Sequence, residues 1–171
     1  MNMKEMSLRN QKGFTLIELL IVVAIIAILA AVVFAALDPL RRFQDSRDSS
    51  RWHDVTELSS AIQVHQIDNG GYYATSVRNM TTSSVYMIGE GTSGCDDFNN
   101  YCDEPVDGDS LCIQLLEYTT LGYIGVIPES PDGNQAWNSF YSGYTLEKTY
   151  NGGIKVRSCE SENSEEIIVT K

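Results

Sequence analysis

Apolar positions in this chain form one unbroken block followed by short, widely spaced groups. From Phe14 to Leu37 only Thr15 and Glu18 interrupt the apolar run. A helix of that span extends about 36 Å at roughly 1.5 Å per residue, enough to cross a hydrocarbon core of about 30 Å. Asp38-Pro39 predicts a break or kink, because proline lacks an amide donor and disfavours helical geometry in the residue before it. The same pair also reads as an N-cap and a first helical residue, with helix resuming at Leu40. The next segment, RRFQDSRDSSRWHD, has too few apolar residues to bury a full face. It predicts a solvated or subunit-facing helix, its arginines and aspartates either paired weakly or simply solvated. Further on, Val55, Leu58, Ala61, Ile62 and His65 share one helical stripe and predict a packed face. Asp68-Asn69-Gly70-Gly71 supplies the residues of a C-cap.

Beyond the helix the pattern changes period. Residues 74–110 read as a loop-rich insert with one short strand at Ser84–Ile88, and Leu111–Tyr118 as a short helix or turn. Phe140–Thr149 alternates aromatic and β-favouring residues, Asn151-Gly152 is a hairpin signal, Ile154–Cys159 continues the strand, and Glu166–Thr170 offers one more. The fold class that follows is α+β. A long N-terminal helix, membrane-spanning in its first half, packs its second half on a small antiparallel sheet.

The formal charge of −11 becomes more negative once the basic leader, with Lys4, Arg9 and Lys12 against Glu5, is set aside. An acidic surface of this kind repels phosphate backbones and argues against nucleic-acid binding by the body as a whole. All four cysteines lie beyond residue 90 and none forms a C-x-x-C pair. That pattern points to disulfides in an oxidising compartment rather than to zinc or thioredoxin-like chemistry. Of the three pairings open to Cys95, Cys102, Cys112 and Cys159, Cys95 with Cys102 and Cys112 with Cys159 is favoured. The piece from Cys95 to Asp109 is rich in carboxylates. Asp96, Asp97, Asp103, Asp107 and Asp109 would suit calcium on a flexible loop, but their spacing is not that of an EF-hand, and a solvated acidic loop is the alternative. No other cofactor is indicated. The two histidines, His53 and His65, both fall in the helical segment. No Ser-His-Asp, metal-ligand or phosphate-loop spacing appears, so enzyme activity is not expected.

The cluster Lys12-Gly13-Phe14-Thr15-Leu16-Ile17-Glu18, followed by about twenty apolar residues, resembles the signal of type IV prepilins and type II secretion pseudopilins. The words Leu58-x-x-Ala61-Ile62 and Asp68-Asn69-Gly70-x-Tyr72 are also similar to that family, although Tyr73 stands where the family often has proline. The turn Ile127-Pro128-Glu129-Ser130-Pro131-Asp132-Gly133-Asn134 matches it in part. The resemblance implies cleavage between Gly13 and Phe14 by a prepilin peptidase, N-methylation of Phe14, and a role for Glu18 in filament assembly. It implies a leader at 1–13, a transmembrane and filament-core helix at 14–38, and an extracytoplasmic body at 39–171, with helix continuing over 39–67 and loops and sheet over 68–171. The implied partners are identical or homologous subunits, the peptidase, inner-membrane assembly machinery and membrane lipid. Before assembly the protein would cross the cytoplasmic membrane once with its body outside; afterwards it would lie in a surface pilus or a pseudopilus. A signal-anchored extracytoplasmic binding module, which needs no processing site, is the alternative.

Overall fold

The computed structural model describes residues 13–164 and 166–171. The leader therefore lies outside the described residues except for Gly13. The chain divides into two compact units, one ending at Pro39 and the other running from Leu40 to Lys171.

The first unit is essentially helix α1, Leu16–Leu37, with Thr15 as its N-cap and none of its residues buried. It is apolar on every side, long enough and apolar enough to cross a membrane. A helix that is apolar all round belongs in lipid or inside a bundle. Its end is fixed at Asp38, which turns into left-handed geometry at φ +38°. The expected break is thus at Asp38, and α2 (Pro39–Asp68) starts on the proline itself rather than at Leu40. Proline suits a first helical position, where the missing amide has no partner to lose.

In the second unit α2 lays Val55, Leu58, Ala61 and Ile62 into the main core, where they meet Tyr144, Leu146, Ile154, Val156 and Ile167. The helix stops where the sequence indicates. Gly70 and Gly71 take φ of +67° and +93°, and the Gly71 amide donates to the Gln66 carbonyl at 2.8 Å, closing the last turn as a C-cap does. Short helices α3 (Thr75–Arg78) and α4 (Leu116–Thr120) flank a five-stranded sheet in the order β2-β1-β3-β4-β5. The strands are β1 (Val85–Ile88), β2 (Cys112–Ile113), β3 (Tyr144–Lys148), β4 (Ile154–Ser158) and β5 (Ile168–Thr170). The β3/β4 hairpin turns through Asn151-Gly152, with Lys148 opposite Ile154 and Gly152 at φ +83°.

The structure corrects the expected all-antiparallel sheet at one place: β2 runs parallel to β1, with Met87 opposite Cys112. A parallel neighbour needs a crossover of a dozen residues or more, and the loop-rich insert between Ile88 and Cys112 provides it. Consecutive β1 residues point to opposite faces. Ile88 joins the helix-side core, while Met87 joins a second cluster with Cys95, Val106, Trp137 and Cys159. The acidic insert therefore packs on the far side of the sheet and gives the small body a second core.

Candidate functional site

The residues flagged for processing and assembly lie together at the start of α1. Phe14 is 90% exposed, and among the described residues a side chain at Gly13 would meet nothing within 4 Å. Local packing therefore does not require glycine there. Thr15 and Glu18 form a reciprocal capping box: the Glu18 amide donates to Thr15 Oγ1 at 3.2 Å, and the Thr15 amide and hydroxyl both donate to Glu18 Oε2 at 2.8 Å. Four residues at a helix start have no internal acceptors for their amides, so a Thr/Glu pair three apart satisfies two of those donors. It also gives the sole ionisable group of the apolar run local partners, where an unsatisfied carboxylate in lipid would be costly. The sequence placed Glu18 and missed Thr15, although the spacing T-x-x-E was there to be read.

A second constellation lies in the body, in the segment read from the sequence as a solvated or subunit-facing helix. That reading is corrected: Arg51 is completely buried and Asp48 nearly so. All five guanidinium N–H groups are used. Nε donates to Ser130 Oγ at 3.1 Å, Nη1 to Asp48 Oδ1 at 2.8 Å and Glu162 Oε1 at 2.9 Å, and Nη2 to the Pro131 carbonyl at 3.0 Å and Glu160 Oε2 at 3.2 Å. Asp48 in turn accepts from the backbone amides of Glu162, Asn163 and Ser164 at 2.8–3.1 Å. Arg47 pairs with Glu162 from the next turn, and Asp54 accepts from the Tyr144 hydroxyl at 2.5 Å. Two helical residues three apart thus fasten α2 to the turn before β3 and to the segment after β4.

The charges of this knot are set by opposing effects. Burial alone would raise the Asp48 carboxyl, but the amides of Asn163, Glu162 and Ser164, with the Arg51 guanidinium, hold it below its ordinary value. Glu162 is lowered by Arg47, against a burial effect that Arg51 helps to offset. Glu160 goes the other way, raised by burial that Arg51 only partly counters. A carboxyl depressed by folding contributes stability that is full above its unfolded value and is lost as pH falls through the folded one. Asp48 and Glu162 should therefore hold the body until pH drops below about 4, with Glu160, raised, giving a little back on protonation. We expect the melting temperature to fall steeply from pH 4 to pH 2, and Asp48→Asn to start lower at pH 7 and show a shallower fall. An unchanged slope in Asp48→Asn would show that the knot does not govern acid sensitivity.

All four cysteines are oxidised, but the pairing differs from the favoured one. Cys95 bonds Cys112, and Cys102 bonds Cys159. The reason is the far-side packing of the insert. A 3-10 turn at Asn99–Tyr101 and the Asn99 side chain, which donates to and accepts from the Val106 backbone at 2.9 and 2.7 Å, point Cys102 toward the end of β4. There the Asp103 amide donates to the Cys159 carbonyl at 3.0 Å. Cys95 is held beside the start of β2 by its own amide on the Asp109 carbonyl at 2.9 Å.

Three of the five carboxylates considered for calcium serve the protein's own chain. Asp107 accepts from the Val85 amide at 2.8 Å, Asp109 from the Gly94 amide at 2.9 Å and Asp103 from the Ser161 hydroxyl at 3.1 Å. Among the described residues, no three of the five have ligand atoms close enough to share an ion. Among the described residues, the group of three such side chains near enough to share an ion is His53, Asp54 and Glu57 on α2. His65 is packed edge-on against Tyr118 and Tyr123 with ring centroids 5.0 and 5.1 Å away, a place in the core rather than at a reaction centre.

Comparison with known proteins bears on the first of these constellations. Residues 8–34 match the family model described as the prokaryotic N-terminal methylation motif. The chain is 48% identical over 66 residues to the type IV wide pilus major component PilA4 of Thermus thermophilus, covering 38% of this chain and 48% of that one. It is 34% identical over 70 residues to the type II secretion system core protein G of Pseudomonas aeruginosa, again spanning 41% of this chain and 48% of its relative, so these two matches extend over about half of each relative. The likeness to the core protein G of Aeromonas hydrophila runs further, 33% identity over 129 residues, or 75% of this chain and 73% of that one. No solved structure matches. A methylation motif spanning Gly13, Phe14 and Glu18, an apolar helix capped by Thr15 and Glu18, and a likeness that covers 75% of the chain identify it as a member of the type IV pilin and type II secretion pseudopilin family.

Proposed function

We propose that this chain is a prepilin, the precursor of a structural subunit of a type IV pilus or type II secretion pseudopilus, and not an enzyme. The observation that carries the reading is the match of the methylation motif across Gly13 and Phe14, directly ahead of a membrane-length helix whose sole ionisable group is Glu18. Residues 1–13 are the leader, 14–38 the transmembrane and filament-core helix, and 39–171 the body, held outside the cytoplasm, where its disulfides are stable. A prepilin peptidase cuts between Gly13 and Phe14, the new amine is methylated and stays charged, and inner-membrane assembly machinery draws the subunit from lipid into a filament of like subunits. In the single subunit Glu18 is satisfied by Thr15. In a bundle of helices it also faces the amine of Phe14, on its own chain or a neighbour's, and the pair is desolvated together.

The test is intact mass of the protein extracted from membranes of its native host, together with sheared filaments. Mature protein should begin at methylated Phe14. Gly13→Leu should insert and remain at full length, since nothing among the described residues crowds that position. Glu18→Leu should insert and be processed yet yield no filaments. Mature protein still carrying residues 1–13 would remove the prepilin reading, and normal filaments from Glu18→Leu alone would remove the role given to that carboxylate.

A further inference from the structure

The body carries a groove of about 590 Å³ at the end of β1, between α4, the 125–129 turn and the loop before β3. Its walls are apolar, formed by Leu115, Leu116, Val126 and Phe140, and its rim carries the carboxylates Glu90 and Glu129. Leu116, Val126 and Phe140 are 66%, 78% and 56% exposed. A partner that fits must offer bulky apolar groups beside positive charge.

This acidic chain has few places that answer to that description. Among the described residues, Arg47, Arg51, Lys155 and Arg157 are already in salt bridges with Glu147, Glu160, Glu162 or Glu166. The Lys148 ammonium donates to the Arg78 carbonyl at 2.8 Å. The first turn of α2 presents such a combination at the surface. Leu40 and Phe43, three residues apart and so on one side of the helix, are 66% and 65% exposed, with Arg41 and Arg42 between them, also exposed. It is a basic, apolar knob whose chemistry is the complement of the groove. The groove volume accommodates two such side chains and is within the range of sites that bury a bulky apolar ligand.

We propose that the groove is the docking site for a second copy of this chain: Leu40 and Phe43 of one subunit seat against Leu116, Val126 and Phe140 of the next, and Arg41 lies against Glu90 or Glu129. This rests on the filament reading above and names the contact that sets the stagger between neighbouring bodies. The knob and groove are different patches on one subunit, so the contact is heterologous and propagates as an open filament instead of closing into a two-fold dimer. Charge at the rim selects the register, and apolar burial supplies the adhesion.

The four native cysteines are all in disulfides, which makes an introduced pair easy to read. Full-length protein carrying both Phe43→Cys and Val126→Cys is expressed in the native host, and sheared filaments are oxidised mildly and separated without reductant. A ladder of covalent multimers is expected, at least tenfold more abundant than from either single variant or from Phe43→Cys with Tyr150→Cys, a control at the exposed hairpin tip. Adding Glu129→Arg should cut the ladder severalfold, and adding Arg41→Glu to that should restore it. Filaments that assemble normally but give no ladder, or that crosslink equally through Tyr150→Cys, would overturn the proposed contact while leaving the filament reading intact. So would a Val126→Cys adduct with a different protein in place of a second copy. Absence of filaments from unaltered protein would instead overturn the reading beneath it.

Discussion

Replacing Arg51 with methionine should destabilise the body by about 3–5 kcal/mol, the loss found when one partner of a buried ionic network is removed. The figure follows from what stays behind. Asp48, Glu160 and Glu162 would face one another with their shared cation gone, and Ser130 and the Pro131 carbonyl would lose their donor. Against a typical total stability of about 5–15 kcal/mol, that is enough to make the full-length protein in detergent unfold at much lower denaturant concentration. Arg51→Lys keeps the charge but cannot supply five forked donors, and should fall between the two. Neutralising the acceptors alongside, as Arg51→Met with Asp48→Asn, Glu160→Gln and Glu162→Gln, should recover part of the loss, because an uncharged set no longer demands a counterion. Arg78→Met at an exposed position should change stability by no more than about 0.5 kcal/mol. An Arg51→Met protein that unfolds within about 1 kcal/mol of the unaltered one would mean the knot is incidental to the fold.

The second large effect belongs to the bridge between Cys102 and Cys159. It closes a sequence separation of 57, against 17 for Cys95–Cys112. On the chain-entropy account the long loop restricts the unfolded chain by about 4 kcal/mol and the short one by about 3. The long bridge has a further role, since it ties the insert on the far face of the sheet to the end of β4, next to the carboxylates that hold Arg51. Cys102→Ser with Cys159→Ser should therefore lower the melting temperature more than Cys95→Ser with Cys112→Ser. Peptide mapping without reductant should recover 95 linked to 112 and 102 linked to 159. The reverse order of melting would contradict the loop argument, and a 95–102 peptide would contradict the connectivity.

Much of this architecture was legible because it is written in local periodicity. The apolar block, the Asp38-Pro39 break, the stripe through Val55, Leu58, Ala61 and Ile62, the glycine stop after Asp68 and the Asn151-Gly152 hairpin each depend on residues within a turn or two of one another. What escaped depends on residues far apart. Asp48 and Arg51 look like any i,i+3 surface pair, and nothing nearby reveals that their other partners stand at 130–131 and 160–164. The cysteine pairing failed for the same reason: a short local loop between Cys95 and Cys102 is the economical guess, and only the parallel placement of β2 and the turn at 99–101 take Cys102 to the other end of the chain. Carboxylates in the insert suggested an ion because composition cannot tell an aspartate open to a ligand from one, such as Asp107, already accepting from its own backbone. At the N-terminus the resemblance supplied Gly13, Phe14 and Glu18, and the geometry added Thr15.

The position of the acidic segment 160–164 also dictates a timetable. Ribosomes release the chain from its N-terminus, so α2, with Arg51 already in it, waits for the carboxylates at 160 and 162 until more than a hundred further residues have been made. Cys102 likewise waits for Cys159, several seconds at about 5–20 residues per second, while Cys95 and Cys112 are both at hand much earlier. During that interval the nearest thiol to Cys102 is Cys95, seven positions back, and a transient bond between them would have to be exchanged before the strap can close. Maturation of this subunit should therefore depend on a thiol–disulfide isomerase more than its count of two bridges would suggest, and a chain halted just before residue 160 would leave Arg51 without two of the five acceptors it uses in the folded body.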